Sequence, residues 1–343
     1  MRASIDECLE ASEEAASCYA ARTQPMRKRL QRAVGEGYVV EPAPSIYARS
    51  AYWHDLKPAN RMCHVMRGLQ KLHPDWIFAG PSAAVAWGFA VSNRYLEKVW
   101  VATTRRAHGR QLGYRRDIIV SHDEPLERGG LRLTSWGRTV GDCLRIMGFR
   151  AGLAIADSAL HVAESLDVDL HTGADLQEEL ERACPRMTGI RRMRALTAMA
   201  DGRAESGGES VARATMLELG LASPDLQEVF HSPLAPGRDY RVDFSWSVRG
   251  SDSRIVGELD GFEKYENPMM TSGRSVAQII GDEHRRQTHI EACPNVLRFV
   301  RFGFADVLRE RAFLELLLGC GVPRDYRMDA LVQAAGGQLR CRE

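Results

Sequence analysis

Two acids, Asp243 and Glu258, stand on apolar, alternating segments late in a 343-residue chain, and Glu258 opens the run Glu258-Leu259-Asp260-Gly261-Phe262-Glu263-Lys264-Tyr265. Strand periodicity puts Arg241, Asp243 and Ser245 on one face and Val242, Phe244 and Trp246 on the other. In the next segment Val256, Glu258 and Asp260 point one way, and Ile255, Gly257 and Leu259 the other. Paired as neighbouring strands, the two segments bring three carboxylates together across the ladder. Alone they would repel and raise at least one carboxyl pKa, whereas a hard divalent cation turns repulsion into coordination. Mg²⁺ or Mn²⁺ held by Asp243 and Glu258 would lower the pKa of a bound water and stabilise charge in phosphodiester hydrolysis. Lys264 would orient that water, and Glu209 and Asp260 would assist. The plain alternative makes Asp243 a solvated strand residue and Asp260-Gly261 a turn that ends a strand.

The elements that must position these acids form an ordered series: a helix over 209–219, strands over 228–231, 240–246 and 254–260, a helix over 275–291, a strand over 296–302 and a closing helix over 305–318. This αβββαβ order predicts a mixed sheet covered by helices, because the last strand returns after a helix long enough to cross the sheet. His284 and His289 lie on the crossing helix, five residues apart and so on different faces; at most one reaches the acids.

Further toward the N-terminus the chemistry is basic. Residues 22–32 hold five basic side chains and no acid, with Met26, Leu30 and Val34 at helical spacing. Gly35 and Gly37 end that helix, and two short strands around Pro42 and Pro44 follow, which together suggest a winged helix. Arg27, Lys28, Arg29 and Arg32 are candidate phosphate contacts, set against the bland reading of a solvated helix face. A second cluster, Arg105, Arg106, Arg110, Arg115 and Arg116, falls within twelve residues of a loop between short strands and suits phosphate positioning. Arg138 and Asp142, four apart, read as an intrahelical ion pair outside any site. The region between, 56–200, reads as small α/β and then helical; a Gly-rich break at 201–208 marks a domain boundary, and residues 322–343 form a motif-free tail expected to be mobile. The fold class is therefore mixed α/β (α+β), in two or three domains.

Composition narrows the field. A net charge of +1, from 46 basic and 45 acidic residues, excludes a uniformly basic coat, so DNA contact must come from local clusters. Eight scattered cysteines lack zinc spacing and read as reduced thiols. No apolar segment is long and unbroken enough for a signal or a membrane span, so the expectation is a cytoplasmic protein with no membrane partner.

Two resemblances add to this. Residues 206–308 resemble a very-short-patch-repair-like branch of the PD-(D/E)xK restriction-endonuclease superfamily, through Glu209, Arg-Val-Asp243-Phe, Val-Gly-Glu258-Leu-Asp260-Gly, Lys264-Tyr265, Glu283-His-Arg-Arg286 and Asn295-Val-Leu-Arg-Phe. The resemblance implies a Mg²⁺-dependent endonuclease fold with Glu283 and Arg286 supporting the site. The superfamily's lysine, two positions after the acid, is replaced here by Asp260, which leaves Lys264 as a migrated substitute; such domains also occur as inactive nucleic-acid binders. Residues 22–160 are similar to abortive-infection AbiEi-type antitoxins, through Gly35-Glu-Gly-Tyr-Val-Val, Ser45-Ile-Tyr, Pro81-Ser-Ala-Ala, Gly88 and Leu133-Thr-Ser-Trp-Gly-Arg-Thr-Val-Gly-Asp142. That similarity implies a winged helix-turn-helix, DNA binding, and autoregulation of an operon for a partner toxin.

Overall fold

Leu30 and Ala33 fall on one side of the basic N-terminal helix α2 (Gln24–Gly35) and are buried, which fixes how the helix rolls. Pro25 sits in its first turn, where a missing N–H breaks no helical bond. The computed structural model describes residues 3–104, 113–120, 123–166, 168–185, 187–260 and 276–341. Before α2 come α1 (Ala3–Glu14) and β1 (Tyr19–Ala20); after it come β2 (Val39–Ala43) and β3 (Ile46–Arg49). The strands form one antiparallel sheet in the order β1-β3-β2, and Ile5, Leu9, Leu30, Val39 and Tyr47 share its core. The helix and β-ribbon read from the sequence are present, with α1 as an addition.

The chain divides into two compact units, 1–146 with 178–188, and 147–177 with 189–343. The first continues with α3 (Ser50–Asp55), α4 (Pro58–Leu72), α5 (Gly80–Trp87), the parallel pair β4 (Val99–Thr103) and β5 (Arg115–Ile119), the hairpin β6 (Leu126–Arg128) and β7 (Leu131–Leu133), and α6 (Trp136–Ile146). Phe78 bridges to Val101 and to Leu133, so one fully buried aromatic joins the two small sheets.

The second unit begins earlier than the glycines at 202–208 suggest. It includes α7 (Phe149–Ala163) and α9 (Ile190–Ala198), while the chain changes unit within α8 (Gly173–Ala183). The reason is visible in α10 (Gly207–Glu218): its Arg213 binds Asp157 of α7 with Nη2 at 2.6 and 2.8 Å from the two carboxylate oxygens, a pair hidden from water. Gly-rich sequence marks the turn into α10, not a change of unit.

After α10 the order is β8 (Asp225–His231), β9 (Asp239–Ser247), β10 (Arg254–Asp260), α11 (Val276–Glu291), β11 (Val296–Gly303), α12 (Phe304–Leu308), α13 (Glu310–Gly319) and α14 (Asp329–Ala334). The sheet order is β11-β10-β9-β8, antiparallel except for the parallel pair β10–β11. This is the αβββαβ order read from the sequence, with α11 as the crossover that a parallel pair requires. Both faces of the sheet are covered: Phe244, Trp246, Ile255 and Phe302 pack with Met216 of α10 and Phe313 of α13, whereas Val242 and Val256 pack with Ile290 of α11. The C-terminal stretch expected to be mobile is docked, with Val332 buried, Leu221 bridged to Arg324, and Arg340 Nη1 2.7 Å from Glu310 Oε2. Among the described residues no helix is long and apolar enough to cross a membrane.

Candidate functional site

β9 and β10 run antiparallel with Val256 opposite Ser245 and Gly257 opposite Phe244, the last paired position of that ladder. Gly257 is there for space, since an added Cβ would stand 3.0 Å from the Trp246 ring. Beyond this point the Leu259 N–H donates to Asp243 Oδ2 at 2.9 Å, so a side chain takes the place of a backbone acceptor. Asp243 is half-buried, and its carboxyl is pushed up from 3.8 to about 6. Burial is the main cause and the charges of Glu209 and Glu258 add to it, against the Leu259 N–H and Arg286, which pull it down.

Glu258 is treated differently. Its Oε1 accepts from Arg286 Nε at 3.0 Å and Nη2 at 2.7 Å, and its Oε2 accepts from Arg301 Nη2 at 3.2 Å. Arg301 lies directly opposite Glu258 in the parallel ladder, and it also reaches Asp260 Oδ1 at 3.5 Å and Glu283 Oε2 at 3.4 Å. Arg286 and Glu283, three apart on α11, share the face turned to β10, as (i, i+3) spacing requires.

Glu209 enters from the start of α10. Ser206 caps that helix by accepting the Glu209 N–H at 3.2 Å, and Glu209 in return accepts from Ser206 Oγ at 2.8 Å, from the Glu205 N–H at 3.0 Å and from Gln227 Nε2 at 3.2 Å. The Ser-x-x-Glu spacing is that of a capping box. Gln227 holds φ at +56° inside β8, an uncommon conformation for a side chain with a Cβ.

The structure thus brings Asp243, Glu258, Asp260, Glu209, Glu283 and Arg286 into one neighbourhood, and adds Arg301, Ser206 and Gln227, which sequence reasoning passed over. Arg301 carried a signal: with Arg298 it is one of two basic residues on an otherwise apolar strand, Val-Leu-Arg-Phe-Val-Arg-Phe, but its register against Glu258 needs the sheet. Gln227 carried none, because its role depends on a left-handed backbone. Lys264 lies outside the described residues. His289 Nδ1 meets Tyr240 Oη, and the two line a cleft with Glu283 and Arg286.

As folded, this donor set does not fit a divalent cation. Both oxygens of Glu258 are held by guanidinium groups, Asp260 and Glu283 face Arg301, and both oxygens of Glu209 serve the helix cap and Gln227. Among the described residues, Asp243 is met by the Leu259 N–H and by no guanidinium group. Among the described residues no group of three His, Cys, Asp or Glu side chains is arranged to hold a metal ion.

On the basic helix α2, Lys28 and Arg32 are exposed. Arg27 is half-buried and donates its Nε to Ala21 O at 2.9 Å, which ties the helix to the preceding turn. Arg29 is half-buried and lines a notch with Ile5, Asp6 and Tyr38. Arg105, Arg106 and Arg110 fall outside the described residues. Arg115 and Arg116 lie over the rings of Trp76 and Trp100, at 4.4 and 5.4 Å from the centroids. All eight cysteines are free.

No family model matches the chain, and no solved structure matches it. It is similar to two proteins of Mycobacterium tuberculosis, Uncharacterized protein MT2308 (strain CDC 1551 / Oshkosh) and Uncharacterized protein Rv2248 (strain ATCC 25618 / H37Rv). Each is 31% identical over 172 residues, a match that covers 43% of this chain and 61% of the relative.

Proposed function

We propose that this chain is a DNA-binding regulator in which the α1–β3 segment contacts duplex DNA as a winged helix and the αβββαβ module is a PD-(D/E)xK-type fold kept as a binding platform. This follows the AbiEi-type resemblance, and its partner would be the operator of an operon that encodes a toxin. The observation that carries it is the double arginine hold on Glu258: two guanidinium groups satisfy the acid that metal-dependent cleavage would need as a ligand, which favours binding over hydrolysis. The sheet order β1-β3-β2 next to a helix with exposed Lys28 and Arg32 supports the DNA-contacting half of the reading.

Fluorescence anisotropy with duplex DNA from upstream of the gene tests it in EDTA. Binding is expected without metal, and Lys28→Ala with Arg32→Ala should flatten the salt dependence by about one unit of slope per residue. Unchanged affinity and slope in the double variant would remove DNA contact from α2.

A second reading has one observation in its favour. Asp243, pushed up to about 6 beside Glu209 and Glu258, is an acid whose like-charged surroundings a cation would relieve. In that reading the module is a Mg²⁺- or Mn²⁺-dependent endonuclease, with Asp243 and Glu258 holding the ion once Arg286 and Arg301 let go, and with Lys264, Glu209 and Asp260 assisting.

A further inference from the structure

Arg138 and Arg145 stand two turns apart on α6 and converge on one carboxylate. Arg138 grips Asp142 through Nε at 2.9 Å and Nη2 at 3.1 Å, while Arg145 Nη2 reaches the same residue at 3.5 Å. Asp142 is fully buried, and the Arg138 side chain is only 10% exposed. Asp142 and the nearby Asp123 both act on Arg138, so the charge left to face the cleft is that of Arg145. Asp117, in the same wall, does not cancel it, because its Oδ1 is 2.6 Å from Arg115 Nε.

These side chains line a cleft of about 410 Å³ in the first unit, a size suited to a small ligand. Its other walls are apolar, with Trp100 from β4, Ile119 from β5, Ile146 from α6, and Met187, and Thr188 adds a hydroxyl at the rim. The parallel pair β4 and β5 supplies Trp100, Asp117, Ile118 and Ile119 to its lining. Arg138 is locked by its third contact, Nη2 to Ile119 O at 3.2 Å, whereas Arg145 is one-third exposed and loosely held. A duplex backbone would have no use for a concave apolar wall.

We infer that this cleft binds a small organic anion, its phosphate or carboxylate head on Arg145 and Arg138 and its flat apolar body against Trp100, Ile119 and Met187. The inference stands apart from the acid cluster on β9 and β10 and does not depend on its chemistry.

The full chain, at matched ionic strength, is titrated with 1-naphthyl phosphate, 1-naphthoate, inorganic phosphate and 1-naphthol, read by tryptophan fluorescence and calorimetry. At least one naphthyl anion should bind saturably, about tenfold or more tighter than inorganic phosphate or naphthol, because neither the head nor the body alone uses both walls. The tighter of the two naphthyl anions identifies the head group. Arg145→Gln should weaken that binding about tenfold through loss of a charge-assisted bond, with Tm unchanged. Ile119→Glu, at a half-exposed wall position, should abolish it. Equal weak binding of all four compounds, or anion binding indifferent to both variants, overturns the inference. It is also overturned if duplex DNA alone occupies Arg145.

Discussion

Asp157 on α7 and Asp243 on β9 are both withdrawn from water, and burial pushes both carboxyls up. Asp157 meets Arg213 at 2.6 and 2.8 Å and the Asp201 N–H at 2.9 Å, whereas Asp243, among the described residues, receives the Leu259 N–H. The first acid has a matched cation and a backbone donor, so it fastens α7 to α10. The second sits near two more acids, with Arg286 turned instead to Glu258. Full satisfaction marks scaffold; an acid left short of donors marks where an incoming group would act.

The largest expected effect lies on the scaffold side. Arg213→Ala leaves Asp157 buried and unpaired, and should lower stability by about 3–5 kcal/mol, seen as a shift of the urea midpoint. A loss no larger than that of an exposed ion pair would erase the distinction between the two aspartates.

Asp243→Asn acts in the opposite direction. The native carboxyl holds its proton to about 6 and the unfolded one only to 3.8, so wild-type stability falls as pH rises through that window and stays lower above it. The Asn variant should be more stable than wild type at pH 8 by about 1–2 kcal/mol, discounted for half-burial, and should lose the decline between those pH values. Parallel pH profiles for wild type and variant would show that Asp243 is already compensated.

A smaller change sharpens the contrast inside the acid cluster. Arg286→Gln should cost at most about 1 kcal/mol, because the pair is partly exposed and Arg301 remains on Glu258. It should also raise the Asp243 pKa further, as followed by NMR titration of the side-chain carboxyl, since Arg286 is a charge that pulls it down. A downward shift would mean that Glu258 has found another cation.

The C-terminal module was the most legible part of the sequence. Alternating apolar residues in 240–246 and 254–260 reported β9 and β10, and a long helical stretch before 296–302 reported the crossover. What the pattern could not report is which groups satisfy each acid. Arg301 meets Glu258 only through a parallel register, and the Asp243 carboxylate takes the Leu259 N–H only where the ladder ends. Carboxylates counted along two strands therefore read as a metal site, while the folded chain surrounds Glu258 with guanidinium groups. The two units were harder to read, because the Arg213–Asp157 pair joins residues 56 apart on either side of the glycines taken as a boundary.

The most direct test of a binding platform without cleavage is plasmid nicking by wild type and Asp243→Ala across a range of Mg²⁺ and Mn²⁺ concentrations. Equal background in both proteins, at every concentration, is the predicted result. Nicking by wild type that disappears in Asp243→Ala would contradict the regulator reading and establish the acids of β9 and β10 as a nuclease centre.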